Sequence, residues 1–183
     1  MNRRPHALVV GGTGMLRDVS LELVRRGYEV SVIARSPQRL ARLQQEAGLR
    51  FHAVQVDYRD TGALIEALER QVAQLGPIVL AVVWVHSVAP EAPYVIARHV
   101  QGRYFHVLGS AVADPSRPDP DRSRRFAALP HLHYREVILG FVLEPGGSRW
   151  LTHDEISRGV LEAIARDAPR WIVGTVEPWS ARP

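Results

Sequence analysis

A glycine turn follows the first apolar run of the sequence. Residues 7–10 are all hydrophobic and lead directly into Gly11, Gly12, Thr13 and Gly14. Such a turn lets the backbone approach a pyrophosphate, and the helix that follows offers free N–H groups and the positive end of its dipole. The turn lies inside a strand–helix–strand pattern, where this spacing is informative. The sequence therefore predicts a dinucleotide phosphate site, and the alternative is an ordinary glycine turn.

The second predicted strand, residues 28–34, ends in basic rather than acidic side chains. Arg35 and Ser36 follow the strand, and Arg39 lies one turn into the next helix. Sites that bind NAD usually place Asp or Glu here for the ribose hydroxyls. A guanidinium and a hydroxyl instead suit the 2′-phosphate of NADP. We therefore expect NADP(H) to bind in preference to NAD(H), unless the arginines are only solvated charges at a helix start.

Two further positions lie where predicted strands end. Asp57 ends the third strand and can accept a hydrogen bond from an adenine amino group, although it also suits the N-terminus of the next helix. His86 follows the fourth strand, and histidine titrates near neutral pH, so it can supply a proton at the nicotinamide end of a cleft. A packing role is the alternative for His86. His106 alternates with Tyr104 and Leu108 on one face of a predicted buried strand, which indicates a structural residue. His131 and His133 lack a third ligand, so they do not predict a metal site.

The elements that must position these residues alternate between short apolar strands and amphipathic helices. Strands are predicted over residues 7–10, 28–34, 51–57, 78–85, 103–108, 134–143 and 171–174, and helices over 15–26, 37–48, 61–75 and 91–100, with a last helix that ends at residue 165. Ser36 is a predicted N-cap, and either Thr152 or Asp154 can cap the last helix. Residues 114–125 contain many Pro, Asp and Arg residues and are predicted to be a loop. This alternation predicts a doubly wound parallel sheet of about seven strands with helices on both faces, a Rossmann fold.

Composition excludes several chemistries. The chain has 183 residues, which favours a single domain over 1–183, and it contains neither cysteine nor lysine. Thiol nucleophiles, thiolate metal sites and Schiff-base lysines are therefore excluded, and no metal site is expected. The 23 arginines are scattered, so no nucleic-acid partner is expected. The apolar runs are too short for a membrane helix and no signal peptide is apparent, which favours a cytoplasmic protein without a membrane partner.

Taken together, the glycine turn, Asp57 and Ser110 after the fifth strand resemble the short-chain dehydrogenase/reductase superfamily, in particular its small atypical members. The resemblance covers about residues 6–110. It implies a cofactor held along the turn and at the ends of the strands, by residues that include Met15, Leu16, Arg17, Tyr58, His86 and Ser87. It also implies that Ser110 donates a hydrogen bond to a substrate carbonyl near the nicotinamide. The alternative for Ser110 is a small polar residue at a strand end.

The sequence also departs from the family pattern at three places. Arg17 stands where the phosphate motif usually has its third glycine. Either its side chain points outward, or the helix shifts, or its guanidinium reaches the pyrophosphate. The Tyr-x-x-x-Lys pair is absent, because Tyr134 is followed four residues later by Ile138 and the chain has no lysine. His86 and Ser87 stand where an asparagine is usual.

Two functions therefore follow as hypotheses. The first is an NADP(H)-dependent oxidoreductase that transfers a hydride to or from a small molecule, with Ser110 and His86 as the candidate catalytic residues. The second is a non-catalytic NADP(H)-binding sensor, which the missing Tyr-x-x-x-Lys pair favours. A homo-oligomer, most simply a dimer, is expected from the resemblance, and no motif identifies the substrate.

Overall fold

The structure is a computed structural model, and it describes residues 3–183. Its strands are β1 (His6–Val10), β2 (Glu29–Ala34), β3 (Phe51–Gln55), β4 (Ile78–Val83), β5 (Val100–Leu108), β6 (Leu132–Leu139), β7 (Phe141–Glu144), β8 (Gly147–Trp150) and β9 (Arg170–Val173). Its helices are α1 (Arg17–Arg25), α2 (Pro37–Ala47), α3 (Thr61–Leu75), α4 (Ala92–Ala97), α5 (Pro120–Ala127) and α6 (His153–Arg166).

Seven strands form one parallel sheet in the order β3-β2-β1-β4-β5-β6-β9. The order reverses between β1 and β4, which is the point where open parallel sheets bind their ligands beyond the carboxyl ends of the strands. The predicted Rossmann fold is confirmed. The reversal places the glycine turn after β1 beside the residues that follow β4.

The sheet has an apolar core on each face. One core is built by residues of α1, α2 and α6, and the other by residues of α3, α4 and α5. Strands β1 and β4 lie at the centre and are apolar at almost every position, as a strand covered on both faces must be. The helices therefore cover both faces, as predicted, and leave the edge at the carboxyl ends open.

The helix starts follow the caps that the sequence indicates. The Ser36 hydroxyl accepts the Arg39 N–H at 3.3 Å, and Pro37 occupies the first helical position of α2. Thr152 and Glu155 form a reciprocal capping box at the start of α6. None of the helices in residues 3–183 is long and apolar enough to span a membrane.

Three boundaries differ from the sequence-based prediction. The predicted strand over 134–143 is two strands, because the chain leaves the main sheet at Gly140 and β7 pairs with β8 as an antiparallel hairpin. The predicted loop over 114–125 contains the start of α5, which Asp119 caps by accepting the Arg122 N–H at 3.1 Å. Helix α4 ends at Ala97 and β5 begins at Val100, earlier than predicted.

Candidate functional site

The turn after β1 needs glycine at two positions for different reasons. Gly11 has φ of +89°, a left-handed conformation that favours glycine. Gly12 is buried, and a Cβ atom there would lie 2.5 Å from Ser20 Oγ and 2.9 Å from a methyl group of Val9. The close approach of α1 to the sheet therefore occurs at Gly12 and Ser20, and not at the position of Arg17.

The turn leaves backbone amides free near the start of α1. The Gly14 N–H is directed to the Gly11 carbonyl at 3.4 Å, and the Arg17 N–H to the Gly14 carbonyl at 3.0 Å. Within residues 3–183 the amides of Thr13 and Met15 have no acceptor. Free amides next to a helix N-terminus attract an anion, so the turn is suited to a phosphate group.

A cleft of about 610 Å³ extends from the turn across the carboxyl ends of β2 and β4. It brings together nine of the residues predicted for the cofactor site: Gly11, Thr13, Gly14, Met15, Arg35, Ser36, Arg39, Tyr58 and His86. The other predicted residues lie outside its lining. Gly12 and Leu16 are buried beneath the turn, and Ser87 is exposed beyond the cleft. Positions from four separate segments thus meet at one site.

The end of the cleft beside β2 is positively charged. Arg35 and Arg39 are exposed, and none of the ion pairs formed within residues 3–183 involves either of them. The start of α2, capped by Ser36, lies between the two arginines in sequence. Two guanidinium groups without an ion-pair partner among the described residues, at a helix N-terminus, favour a group with two negative charges, such as a phosphate monoester.

Arg17 points away from the cleft. Its guanidinium pairs with Asp18 at 2.9 Å and with Glu46 of α2. With Arg39 and Arg42 it borders a second polar pocket of about 420 Å³ that shares Thr13 and Arg39 with the cleft. Of the alternatives that the sequence left open, the structure shows the outward side chain.

Asp57 and Tyr58 follow β3 but face different partners. The Asp57 carboxylate accepts hydrogen bonds from the backbone N–H and the guanidinium of Arg59 at 3.0 Å, and these bonds lower the pKa of Asp57 to about 2. Its contact with an adenine stays a prediction. The Tyr58 hydroxyl lines the cleft and accepts the His86 N–H at 3.4 Å. Tyr58 therefore connects the two sides of the cleft.

Trp84 closes the cleft beside β4 and was missed by the sequence analysis. Its ring contacts that of His86 with 4.1 Å between the centroids and an interplanar angle of 66°. It follows the continuous apolar run of β4, so the sequence pattern treats it as one more strand residue. The signal that could have identified Trp84 is its place directly after a strand, at the same edge of the predicted sheet as the glycine turn.

The two candidate catalytic residues are placed differently. His86 is exposed and lines the cleft. Ser110 is also exposed, but it begins a short 3₁₀ turn after β5 and is outside the cleft lining. The structure thus brings His86 to the glycine turn and does not bring Ser110 there.

Tyr134 belongs to a buried polar network on the α5 face of the sheet. Its hydroxyl lies 2.9 Å from His106 Nδ1 and donates to Glu136 Oε1 at 3.3 Å, and Glu136 also accepts from Arg122 at 3.1 Å. The Tyr134 ring stacks on Phe126 of α5 with 4.1 Å between the centroids. Burial raises the pKa of Tyr134 and lowers that of His106 to about 3. This network anchors α5 and keeps Tyr134 away from the cleft.

The seven-stranded parallel sheet, its glycine turn and the cleft at the strand-order reversal define a Rossmann-fold protein. The family model described as short chain dehydrogenase matches residues 5–85, which include β1 to β4 and the glycine turn. Residues 5–85 are therefore similar to the short-chain dehydrogenase family, and the solved structures described below share the fold of the whole chain. No curated protein matches the sequence.

Solved structures with the same fold cover almost the whole chain. A metagenomic short-chain oxidoreductase in complex with NADP is 16% identical, with a TM-score of 0.68 over 98% of this chain and 97% of that one. A blue fluorescent protein from a metagenomic library in complex with NADPH is 16% identical, with a TM-score of 0.71 over 94% and 97%. Serine dehydrogenase from Escherichia coli is also 16% identical, with a TM-score of 0.66 over 93% and 96%.

Proposed function

We propose that the chain is an NADP(H)-dependent oxidoreductase. The observation that carries the proposal is the cleft in which free turn amides meet two unpaired arginines. The amides of Thr13 and Met15 suit the pyrophosphate, and Arg35 and Arg39 suit the 2′-phosphate. Two solved structures of the same fold contain NADP or NADPH, which supports the same cofactor here.

The fit of the cofactor can be judged from the residues themselves. Gly12 keeps the backbone close to α1, because a Cβ atom there would collide with Ser20. The cleft lining contains no Asp or Glu side chain within the described part of the chain, so nothing acidic opposes a phosphate. Positive charge, free amides and open backbone are therefore combined at one edge of the sheet.

The bound cofactor supplies hydride transfer, and the chain contributes orientation and a proton. His86 is the proton donor in this proposal, because its imidazole lines the cleft and is open to solvent. Tyr134 is unsuited to that role, because it is engaged by Glu136 and its pKa is raised by burial. The absent lysine is consistent with this change of donor.

Steady-state oxidation of NADPH against a panel of carbonyls, quinones and flavins tests the proposal. We expect turnover with at least one acceptor, and a loss of two orders of magnitude or more in kcat for His86→Ala if it donates the proton. Tyr134→Phe is the matched variant and should keep its rate. Tight NADPH binding without turnover on any acceptor would favour the sensor instead.

We also propose that the protein is a homodimer. Strand β9 is the edge of the main sheet, and Ile172 on it is 41% exposed, so this edge can pair with or pack on a second copy. Light scattering across a dilution series tests this. A mass near that of one 20.5 kDa chain at micromolar concentration would contradict the proposal.

A further inference from the structure

The indole of Trp84 lies across the carboxyl edge of the sheet. A Cβ atom built on Gly11 would lie 3.3 Å from Trp84 Cε3, and one built on Gly109 would lie 3.9 Å from Trp84 Nε1. Gly11 follows β1 and Gly109 follows β5, so the ring spans the ends of three neighbouring strands. Both neighbours are glycines, and the ring occupies space that their side chains would otherwise fill.

The ring is held in this position by the fold. The backbone N–H of Trp84 donates to the Val10 carbonyl at 3.1 Å, which continues the pairing of β4 with β1 and fixes the main chain at this position. The side chain packs on the core that contains Val82 and Val107. The indole is therefore a fixed wall and not an exposed loop side chain.

This wall divides the two candidate catalytic residues. His86 packs against the ring and lines the cleft, whereas Ser110 follows Gly109 and lies outside the cleft lining. Among residues 3–183, the lining contains no residue from the segment that follows β5. A ligand that enters along the glycine turn thus reaches Trp84 and His86 before it reaches Ser110.

We propose that Trp84 positions the nicotinamide end of the cofactor and shuts Ser110 out of the site. The proposal rests on the proposed function, because it concerns the same cofactor. An indole offers a flat surface on which a planar heterocycle stacks. The hydride acceptor would then enter through the open side of the cleft beside His86, with no contact to Ser110.

Two ligands distinguish binding at the nicotinamide end of the site from binding at the adenosine end. NADP⁺ carries the nicotinamide, whereas adenosine 2′,5′-bisphosphate keeps the charged adenosine half and lacks it. Titration calorimetry of both ligands is compared for the wild type, Trp84→Leu, Trp84→Phe and Ser110→Ala. Trp150→Ala is the matched control, because Trp150 is an exposed tryptophan of the β7–β8 hairpin. Thermal melting shows that each variant is folded.

We expect Trp84→Leu to weaken NADP⁺ binding about tenfold, as the loss of one ring-stacking contact does, and to leave bisphosphate binding unchanged. Trp84→Phe should keep most of the NADP⁺ affinity, because it keeps a flat ring. Ser110→Ala and Trp150→Ala should bind both ligands as the wild type does.

Other outcomes overturn the inference. Equal losses for both ligands in Trp84→Leu would show general damage to the site, and a gain in NADP⁺ affinity would show that the indole obstructs it. A loss in Ser110→Ala as large as that in Trp84→Leu would place Ser110 in the site. If the wild type binds neither ligand, the proposed function fails and the role of Trp84 fails with it. If the wild type binds the bisphosphate but the Trp84 variants do not show the expected selective change in NADP⁺ affinity, only the role of Trp84 is overturned.

Discussion

The Ser157 hydroxyl in α6 donates a hydrogen bond of 2.8 Å to the carbonyl oxygen of Met15 in the glycine turn. The two residues are 142 positions apart, and Ser157 is 2% exposed. The last helix therefore helps to hold the glycine turn in place. The second half of the chain, which the family match does not cover, contributes to the geometry of the first.

Removal of this bond should weaken both the fold and the cofactor site. We expect Ser157→Ala to lower the free energy of unfolding by about 1 kcal/mol, the usual contribution of one hydrogen bond. Urea unfolding measures the effect, and Ser123→Ala is the control, because Ser123 is an exposed serine of α5. An unchanged midpoint in Ser157→Ala would show that the contact contributes nothing to stability.

The preference for NADP(H) should depend on Arg35. We expect Arg35→Ala to weaken NADP⁺ binding by about 1–3 kcal/mol, the range for a hydrogen bond to a charged group, and to leave NAD⁺ binding unchanged. Titration calorimetry with both cofactors measures this. Arg70→Ala is the control, because Arg70 is an exposed arginine of α3. Equal wild-type affinities for the two cofactors would contradict the assignment.

Two glycines of the turn should differ sharply in their tolerance to substitution. Gly12→Ala introduces a methyl group 2.5 Å from Ser20 Oγ, and we expect a loss of about 1–3 kcal/mol in the free energy of unfolding. A Cβ atom on Gly14 meets no atom within 4 Å among the described residues, so Gly14→Ala is the matched variant. Similar midpoints for the two variants in urea would refute this reading of the turn.

Stability should fall on mild acidification because His106 is buried as a neutral group. The unfolded chain binds a proton at the ordinary histidine pKa of 6.5, whereas burial lowers the pKa in the folded protein to about 3. The contribution of neutral His106 to the free energy of unfolding is therefore fully present above pH 6.5. It is lost as the pH falls toward 3, by roughly 1.4 kcal/mol per pH unit. His6 adds to this loss, since burial lowers its pKa too.

The variant His106→Gln tests this assignment by its slope rather than by its absolute stability. We expect the decrease in unfolding free energy between pH 7 and pH 5 to be smaller in the variant than in the wild type. His131→Gln is the control, because His131 is exposed. The same slope in the wild type and His106→Gln would contradict the proposed titration.

The sheet and much of the cleft could be predicted from the sequence because they depend on local signals. Apolar runs, caps such as Ser36 and the glycine turn are each specified within a few residues. The start of α5 could not be recognised, because its N-cap and first-position proline lie in a segment rich in turn residues. Its Phe126 stacks on Tyr134 of the following strand β6, and the residue pattern of the helix itself does not reveal this packing contact.

The role of Trp84 was hidden for a different reason. Its importance depends on its contacts with Gly11 and Gly109, which lie 84 − 11 = 73 and 109 − 84 = 25 residues away in the sequence. Ser110 lies outside the cleft lining, and the residue before it, Gly109, is next to the same ring. A strand-end serine fits the family pattern, but only the three-dimensional arrangement shows what stands between it and the turn.

The position of β1 has a consequence for synthesis on the ribosome. β1 pairs with β2 nearby in sequence but also with β4, where His6 is opposite Ile78. Domains generally fold as units while the chain emerges from its N-terminus. The glycine turn is therefore synthesised well before β4, and β1 can be paired on both sides only after β4 has emerged. The contact of the turn with Ser157 forms later still, once α6 has left the exit tunnel.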